Sequence, residues 1–442
     1  MQSYLSEKII LFCTDVLDEI FQFRNSTSKI ISFHLRSNRN FGPKERDLAT
    51  NIIFEILRFK TYFESKINKK KSEINKLSQY RLLVLLGSLS ILRDRDKLIC
   101  LNEQEKIFLF DIRLESIEEI YSRYCKHSSL YEKLSVPKWI YIDWLRQRKE
   151  SEIIDLIVSN SKKPSIYCRG NILKHKLSEV KKEIKRNNFV FESNEYLPAC
   201  LKFPPNTNIS KILSSLSSGD LEVQDFGSQL IAKLVNPSRN AIVADFCAGT
   251  GGKTLALGVE MKNSGKIFAL DIIPSKIMKL KHRVNLSNLK NVWPIVISGL
   301  FDKRLQSLKN KVDYVLVDAP CLGFGTLRRN PDLKWKYSEI DLNIKIRLQQ
   351  SILQKASELC KVGGHLIYAT CTNIYSENQG NIENFLNSNP SFERCNNKAV
   401  LEKQKIFLDD YFEIYDSNGN IQLWTDLTDS DCFFMTKMMR KF

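Results

Sequence analysis

The chain lacks any apolar run long enough to cross a bilayer. Its longest uncharged apolar stretch, Leu82–Leu92, has 11 residues, against the ~20 that a membrane-spanning helix needs. No secretory signal is expected either, because Ile9–Cys13 meets Asp15, Asp18 and Glu19 at once. No CxxC occurs among the 11 cysteines, which argues against a zinc ribbon or a thioredoxin-like redox pair. An odd, scattered cysteine set fits a reducing cytoplasm, where most cysteines are small buried hydrophobes. Histidine is scarce, and His34, His127, His175, His282 and His365 show no metal-ligand spacing, so no metal is expected. Acid is short as well. Against 67 Lys and Arg stand 50 Asp and Glu, leaving a formal charge of +17. That surplus favours a polyanion as partner, nucleic acid before an anionic membrane surface.

What is present is ample core material, 43% hydrophobic and 10% aromatic over 442 residues, enough for about three domains of ~150 residues. Residues 1–135 read as all-α. Ile9, Ile10, Cys13, Val16, Leu17 and Ile20 recur at helical spacing, and so do Leu48, Ile52, Ile53, Ile56 and Leu57. Tyr80–Leu92 is apolar almost all round, as a buried central helix would be. Residues 136–225 read as a small α+β unit, with a strand at Ser165–Arg169 and a basic helix at Leu177–Arg186. It contains the charge peak: residues 161–190 hold nine basic and two acidic side chains. Residues 226–442 alternate strand and helix, with strands expected at Ile242–Phe246, Lys266–Asp271, Val312–Asp318 and His365–Cys371. Such alternation predicts a doubly wound, mainly parallel α/β sheet. Ligands bind such sheets at the carboxyl ends of the strands.

The candidate site residues fall at those ends. Cys247, Ala248, Gly249, Thr250, Gly251, Gly252 and Lys253 form a small-residue turn between strand and helix. Glycine lets a backbone approach a ligand closely, and the helix start offers free N–H groups. The spacing is not that of a P-loop. Asp271 ends the next strand, where an acid either takes a ribose hydroxyl pair or caps the helix that begins at Pro274. Asp318-Ala319-Pro320-Cys321 ends a third strand, and Ala369-Thr370-Cys371 ends a fourth. Each sets a cysteine just past a strand, beside the expected cleft. Spacing alone does not say which cysteine is a nucleophile. Arg169, Arg328 and Arg329 are candidate phosphate contacts, and Lys181, Lys182 and Lys185 form a basic face.

Taken together, these motifs resemble the Sun-type RNA (cytosine-5) methyltransferases. The resemblance rests on the loop ending Gly251-Gly252-Lys253-Thr254, on Asp318-Ala319-Pro320-Cys321, on Ala369-Thr370-Cys371, and on Arg328-Arg329-Asn330-Pro331-Asp332 with Lys334-Trp335. Cys432–Lys437 looks like the family's closing strand. The helical N-terminus, with Glu55-Ile56-Leu57-Arg58, is similar to the NusB-like domain of the bacterial ribosomal small-subunit methyltransferase B branch. The resemblance implies a Rossmann-like class I methyltransferase domain preceded by an all-α NusB-like domain and a small α+β unit. It implies S-adenosyl-L-methionine as cofactor and RNA as substrate, with 16S ribosomal RNA expected first. Transfer RNA, or a non-catalytic RNA-binding assembly role, are the alternatives. A monomer is expected. By the same resemblance Cys371 is the nucleophile, Cys321 assists breakdown of the adduct and Asp318 binds the base. Two departures stand out. Thr250 replaces the proline usual in the loop, and 297–300 contains no acid where the family has one near the adenine.

Overall fold

Described here are residues 4–70, 78–125, 127, 129–408 and 413–442 of a computed structural model. The chain divides into two compact units. One comprises residues 1–161 with 330–338, the other 162–329 with 339–442.

The first unit is helical. Its long helix, Pro43–Lys69, opens with proline at its first position, and the Glu45 carboxylate accepts from the Gly42 N–H at 2.7 Å. Gln79–Leu92 packs against it. The contact is close at Gly87, where an added Cβ would lie 2.7 Å from Ile56 Cγ1. Helices Lys138–Leu145 and Glu150–Ser161 belong to this unit too, so it runs past the boundary expected at residue 135. Trp144 is core, at 1% exposure.

The long helix breaks its helical geometry at Phe59, and three backbone groups beside the break bond to side chains. The Tyr62 N–H, whose helical acceptor would be Arg58, donates instead to Ser135 Oγ at 2.9 Å. The Arg58 carbonyl accepts from Lys334 Nζ at 2.9 Å, and the Leu57 carbonyl from Trp335 Nε1 at 2.7 Å. Side chains inserted into the i→i−4 ladder cause the kink.

The second unit holds two sheets. Strands β1 (Ile166–Gly170), β2 (Glu192–Ser193), β3 (Cys200–Phe203) and β4 (Leu221–Val223) form an antiparallel sheet in the order β2-β3-β1-β4. Helix Leu177–Arg186 covers it through Val180 and Ile184, which join a core with Cys168, Leu201 and Phe203. The larger sheet comprises β5 (Ile242–Asp245), β6 (Lys266–Asp271), β7 (Val292–Val296), β8 (Val312–Asp318), β9 (Cys360–Thr370), β10 (Phe392–Arg394), β11 (Ile421–Leu423) and β12 (Phe433–Arg440). Its order is β10-β12-β9-β8-β5-β6-β7, with β11 also paired to β12. The pairs among β5–β9 are parallel, while β12 runs antiparallel to β9. This is the Rossmann-like fold expected. Strand β7 carries Pro294, which cannot donate to a ladder, and it stands at the sheet edge, where proline is tolerated. The strand order reverses at β5, flanked by β6 and β8. That switch point opens a crevice at the strand carboxyl ends.

Candidate active site

The turn after β5 is shaped by its glycines. Gly249 has φ +57° and Gly251 +90°, a region that costs L side chains energy. A Cβ on Gly251 would sit 2.0 Å from Leu280 Cδ1, so only glycine fits. At Gly249, by contrast, no protein atom lies within 4 Å of the Cβ position, which leaves room for a ligand. Thr250 is tied down. Its carbonyl and hydroxyl accept from Arg283 Nη1 at 2.6 and 3.3 Å, and Arg283 Nη2 holds Glu222 at 2.6 Å. A proline at 250 could not offer that hydroxyl. Cys247 lines the same turn, and burial pushes its thiol up; Ala248 donates to the Leu270 carbonyl at 2.9 Å.

Asp271 bonds to the backbone on both sides of it. Oδ2 accepts from the Gly249 N–H at 2.9 Å, and Oδ1 from the Ile273 N–H at 2.8 Å just before the Pro274 helix. Each oxygen keeps a second lone pair for a hydroxyl donor. Behind the turn, Thr254 Oγ1 donates to Asp245 Oδ2 at 2.6 Å, and burial raises the Asp245 carboxyl to about 7.

Past β8 and β9 the two cysteines meet. Cys321 Sγ and Cys371 Sγ lie 3.5 Å apart, 50 residues apart in sequence. Their loops are stitched together. The Gly325 N–H donates to the Cys371 carbonyl at 3.0 Å, and the Cys432 N–H to the Gly325 carbonyl at 2.9 Å. A Cβ on Gly325 would fall 2.1 Å from the Cys432 carbonyl oxygen. Glu377 braces the other side, accepting from the Leu322 N–H at 2.9 Å and from Gln349 Nε2 at 2.8 Å. The hydrogen bond to Cys371, with burial, pushes the Cys321 thiol well up. Either thiol can donate in the contact between them. Lys253 Nζ donates to Asp318 Oδ2 at 2.7 Å. Burial works against the charge on Lys253, but Asp318 outweighs it, with Cys371 adding to the effect, and the amine is held above its ordinary value. A fixed cation is thus bonded to Asp318 and feels the charge of Cys371. Asp318 keeps about a third of its side chain exposed.

Of the three arginines expected to touch phosphate, Arg169 and Arg328 are buried and Arg329 is half-buried. Arg169 is buried and donates from Nε to Gln224 Oε1 at 2.7 Å. Burial lowers it to about 10. Arg328 is 5% exposed and donates to the carbonyls of Lys163 (2.9 Å), Lys162 and Asp429, and to the Asp429 carboxylate. Arg329 grips Asp431 at 2.9 and 3.0 Å and the Ser165 carbonyl at 2.9 Å. The donors that bond do so within the fold, and the expectation of phosphate contact is corrected on the ground of that burial and bonding. Lys334 in the same motif is buried in the helical unit, where burial lowers it to about 7. Outward-facing cations lie on Leu177–Arg186 instead, where Lys182, Lys185 and Arg186 are exposed. Sequence reasoning gave no role to Glu377 or Arg283. Only Glu377 carried a signal, by its closeness to Cys371. Among the described residues no cluster of His, Cys, Asp or Glu could hold a metal, and no helix is long and apolar enough to cross a membrane.

The model of the family described as 16S rRNA methyltransferase RsmB/F matches residues 232–439. Among curated proteins, the probable ribosomal RNA small subunit methyltransferase B of Synechocystis is 32% identical over 261 residues, 58% of each chain. Its namesake in Bacillus subtilis is 33% identical over 229 residues, 51% of this chain and 48% of that one. The chain thus spans about half to three fifths of the curated relatives it matches. Among solved structures, PH0851 superposes with a TM-score of 0.73 at 23% identity, covering 99% of this chain and 100% of the other. NSun6 from Pyrococcus horikoshii, solved with SFG, gives 0.58 at 18% identity, covering 69% and 98%. At those identities the likeness is one of fold.

Proposed function

We propose that this chain, whose residues 232–439 match the model of the 16S rRNA methyltransferase RsmB/F family, is an RNA (cytosine-5) methyltransferase using S-adenosyl-L-methionine, with 16S ribosomal RNA as substrate. The observation that carries this reading is the thiol pair at 3.5 Å beside the Lys253–Asp318 ion pair. A non-catalytic RNA-binding protein would need neither.

The residues present suit the cofactor. The open approach at Gly249, its amide tied to Asp271, and the free lone pairs of Asp271 form a cradle for a ribose and its substituents. When bound, S-adenosyl-L-methionine supplies an electrophilic methyl on a sulfonium. Carbon 5 of cytosine is a poor nucleophile, and the chain's own groups remedy that. Cys371 adds its thiolate sulfur to carbon 6, and the displaced π pair makes carbon 5 nucleophilic, splitting one hard step into two easier ones. A proton carried by Asp318 and donated to the base's ring nitrogen offsets the negative charge that develops there as the sulfur adds. After methyl transfer a water molecule takes the carbon 5 proton; the freed electron pair restores the 5,6 double bond as the carbon 6–sulfur bond breaks and Cys371 leaves as thiolate. Cys321 stands beside that sulfur to assist the breakdown. The target base must leave its stack to reach Cys371. The exposed cations of Leu177–Arg186 grip the flanking phosphates.

Cys371→Ala should abolish methylation while RNA binding survives, and Cys321→Ala should accumulate a covalent protein–RNA species on a denaturing gel. Accumulation by the Cys371 variant instead would exchange the two roles. Mapping of 5-methylcytosine in RNA from cells with and without the gene tests the activity and the RNA class together.

A further inference from the structure

Among the described residues of the loop 297–302, after β7, the one carboxylate, Asp302, is already occupied. Resting on the cofactor reading above, we propose that Ser298, polarised by Asp302, receives the amino group of the cofactor's adenine and makes the site selective for it. The strand order carries the argument. The reacting groups stand at the ends of β8 and β9, the glycine turn at β5 and the ribose acid at β6. A ligand whose methyl faces Cys371 and whose ribose meets Asp271 delivers its base to the end of β7, the next strand outward. There the Ile297 N–H donates to the Asp271 carbonyl at 3.0 Å, which fixes the start of the following loop beside the ribose acid. Gly299 follows with φ +147° and no protein atom within 4 Å of a Cβ position. Ile272 and Phe301, 62% and 93% exposed, flank the site in sequence and offer apolar surface for a ring.

Asp302 does not reach the base itself, because its oxygens are occupied. Oδ1 accepts from the Arg304 N–H at 2.9 Å and Nε at 2.8 Å. Oδ2 accepts from Arg304 Nη2 at 2.6 Å, the Ser298 N–H at 2.8 Å and Ser298 Oγ at 3.2 Å. Arg304 and these amides hold the carboxyl well below the usual range, so it stays ionised. Ser298 thus spends its single hydroxyl proton on Asp302 and presents only lone pairs outward. It is exposed. Such a group accepts from an amino donor and repels a carbonyl oxygen. The negative charge of the missing acid is relayed through a hydroxyl.

The test is calorimetric titration of the full chain with S-adenosylhomocysteine and with S-inosylhomocysteine, which differ at the position of the amino group. The wild-type protein should prefer the adenosine compound by about tenfold, the worth of one polarised hydrogen bond. Ser298→Ala should erase most of that preference, and Ser298→Thr, which keeps the hydroxyl, should restore it. Binding of the adenosine compound with its preference unchanged in Ser298→Ala overturns the assignment of Ser298 and leaves the cofactor reading standing. Failure of the wild-type protein to bind either compound overturns the cofactor reading, and this inference with it.

Discussion

Glu377 offers a quantitative test of how the cysteine loops are held. Its side chain is fully buried, and its carboxylate accepts from Leu322 and Gln349. Burial raises the carboxyl from 4.5 to about 7. A carboxyl whose folded pKa lies above its unfolded value binds its proton more tightly in the folded state. Its contribution is therefore whole below pH 4.5 and is lost as pH rises through about 7. Over that span the loss comes to about 3 kcal/mol at 1.36 kcal/mol per pH unit. Glu377→Gln keeps the shape and an acceptor for the Leu322 N–H but cannot ionise. At pH 4.5 the two proteins should melt together. At pH 8 the variant should melt higher by roughly 6–12 °C, taking 2–4 °C per kcal/mol for a unit of this size. Thermal unfolding of both proteins from pH 4.5 to 8.5 measures this as a difference. Asp245 and Asp225 are also buried and raised to about 7, but they tilt both curves alike and cancel. Parallel curves, offset by a constant, would refute the reasoning.

Three further outcomes follow from contacts already described. Gly325→Ala forces a Cβ to within 2.1 Å of the Cys432 carbonyl and 2.8 Å of the Cys371 carbonyl; methylation should fall roughly 100-fold through misplacement of about 1 Å, and retained activity in a turnover assay would show that the loop is not positioned this way. Arg329→Ala leaves Asp431 and Asp225 buried without their cation, so urea unfolding should report a loss of about 3–5 kcal/mol. RNA affinity of the folded variant should change less than about twofold, the size of a contact energy within noise; weakened RNA binding at unchanged stability would return Arg329 to the substrate. Replacing Lys181, Lys182 and Lys185 together by Ala should lower the slope of log affinity against log salt by about 2, without a change in melting. An unchanged slope would remove that helix from the RNA path.

Periodicity made the elements legible wherever one physical cause acted alone. Leu177–Arg186 follows from two buried positions, Val180 and Ile184, on an otherwise charged helix. Lys266–Asp271 and Val312–Asp318 follow from apolar runs ended by an acid. Strand β7 was not legible, because Pro294 speaks against a strand until the sheet is known to end there. The thiol pair was legible as two strand ends. Its closeness was not, since it depends on hydrogen bonds between Gly325, Cys371 and Cys432 that no local pattern records. Thr250 read as a departure, and only the fold reveals Arg283 against it.

The Arg328–Trp335 run shows why charge in a sequence is a poor guide to where charge is used. Arg328, Arg329 and Lys334 follow the catalytic loop, and as a string they read as a basic contact beside the chemistry. Each of these side chains instead bonds inside its own unit. The arginines close on Asp429, Asp431 and the carbonyls of residues 162–165. Lys334 and Trp335 take the two carbonyls freed at the Phe59 kink. The long helix could not keep that bend without them, because a buried carbonyl left without a partner costs about 1–3 kcal/mol. Lys334 suits the task as a neutral donor would, since burial lowers it to about 7 and its partners are carbonyls rather than a carboxylate. The segment's composition therefore reflects fastening, and the helix bend and the motif 270 residues later are parts of one packing solution.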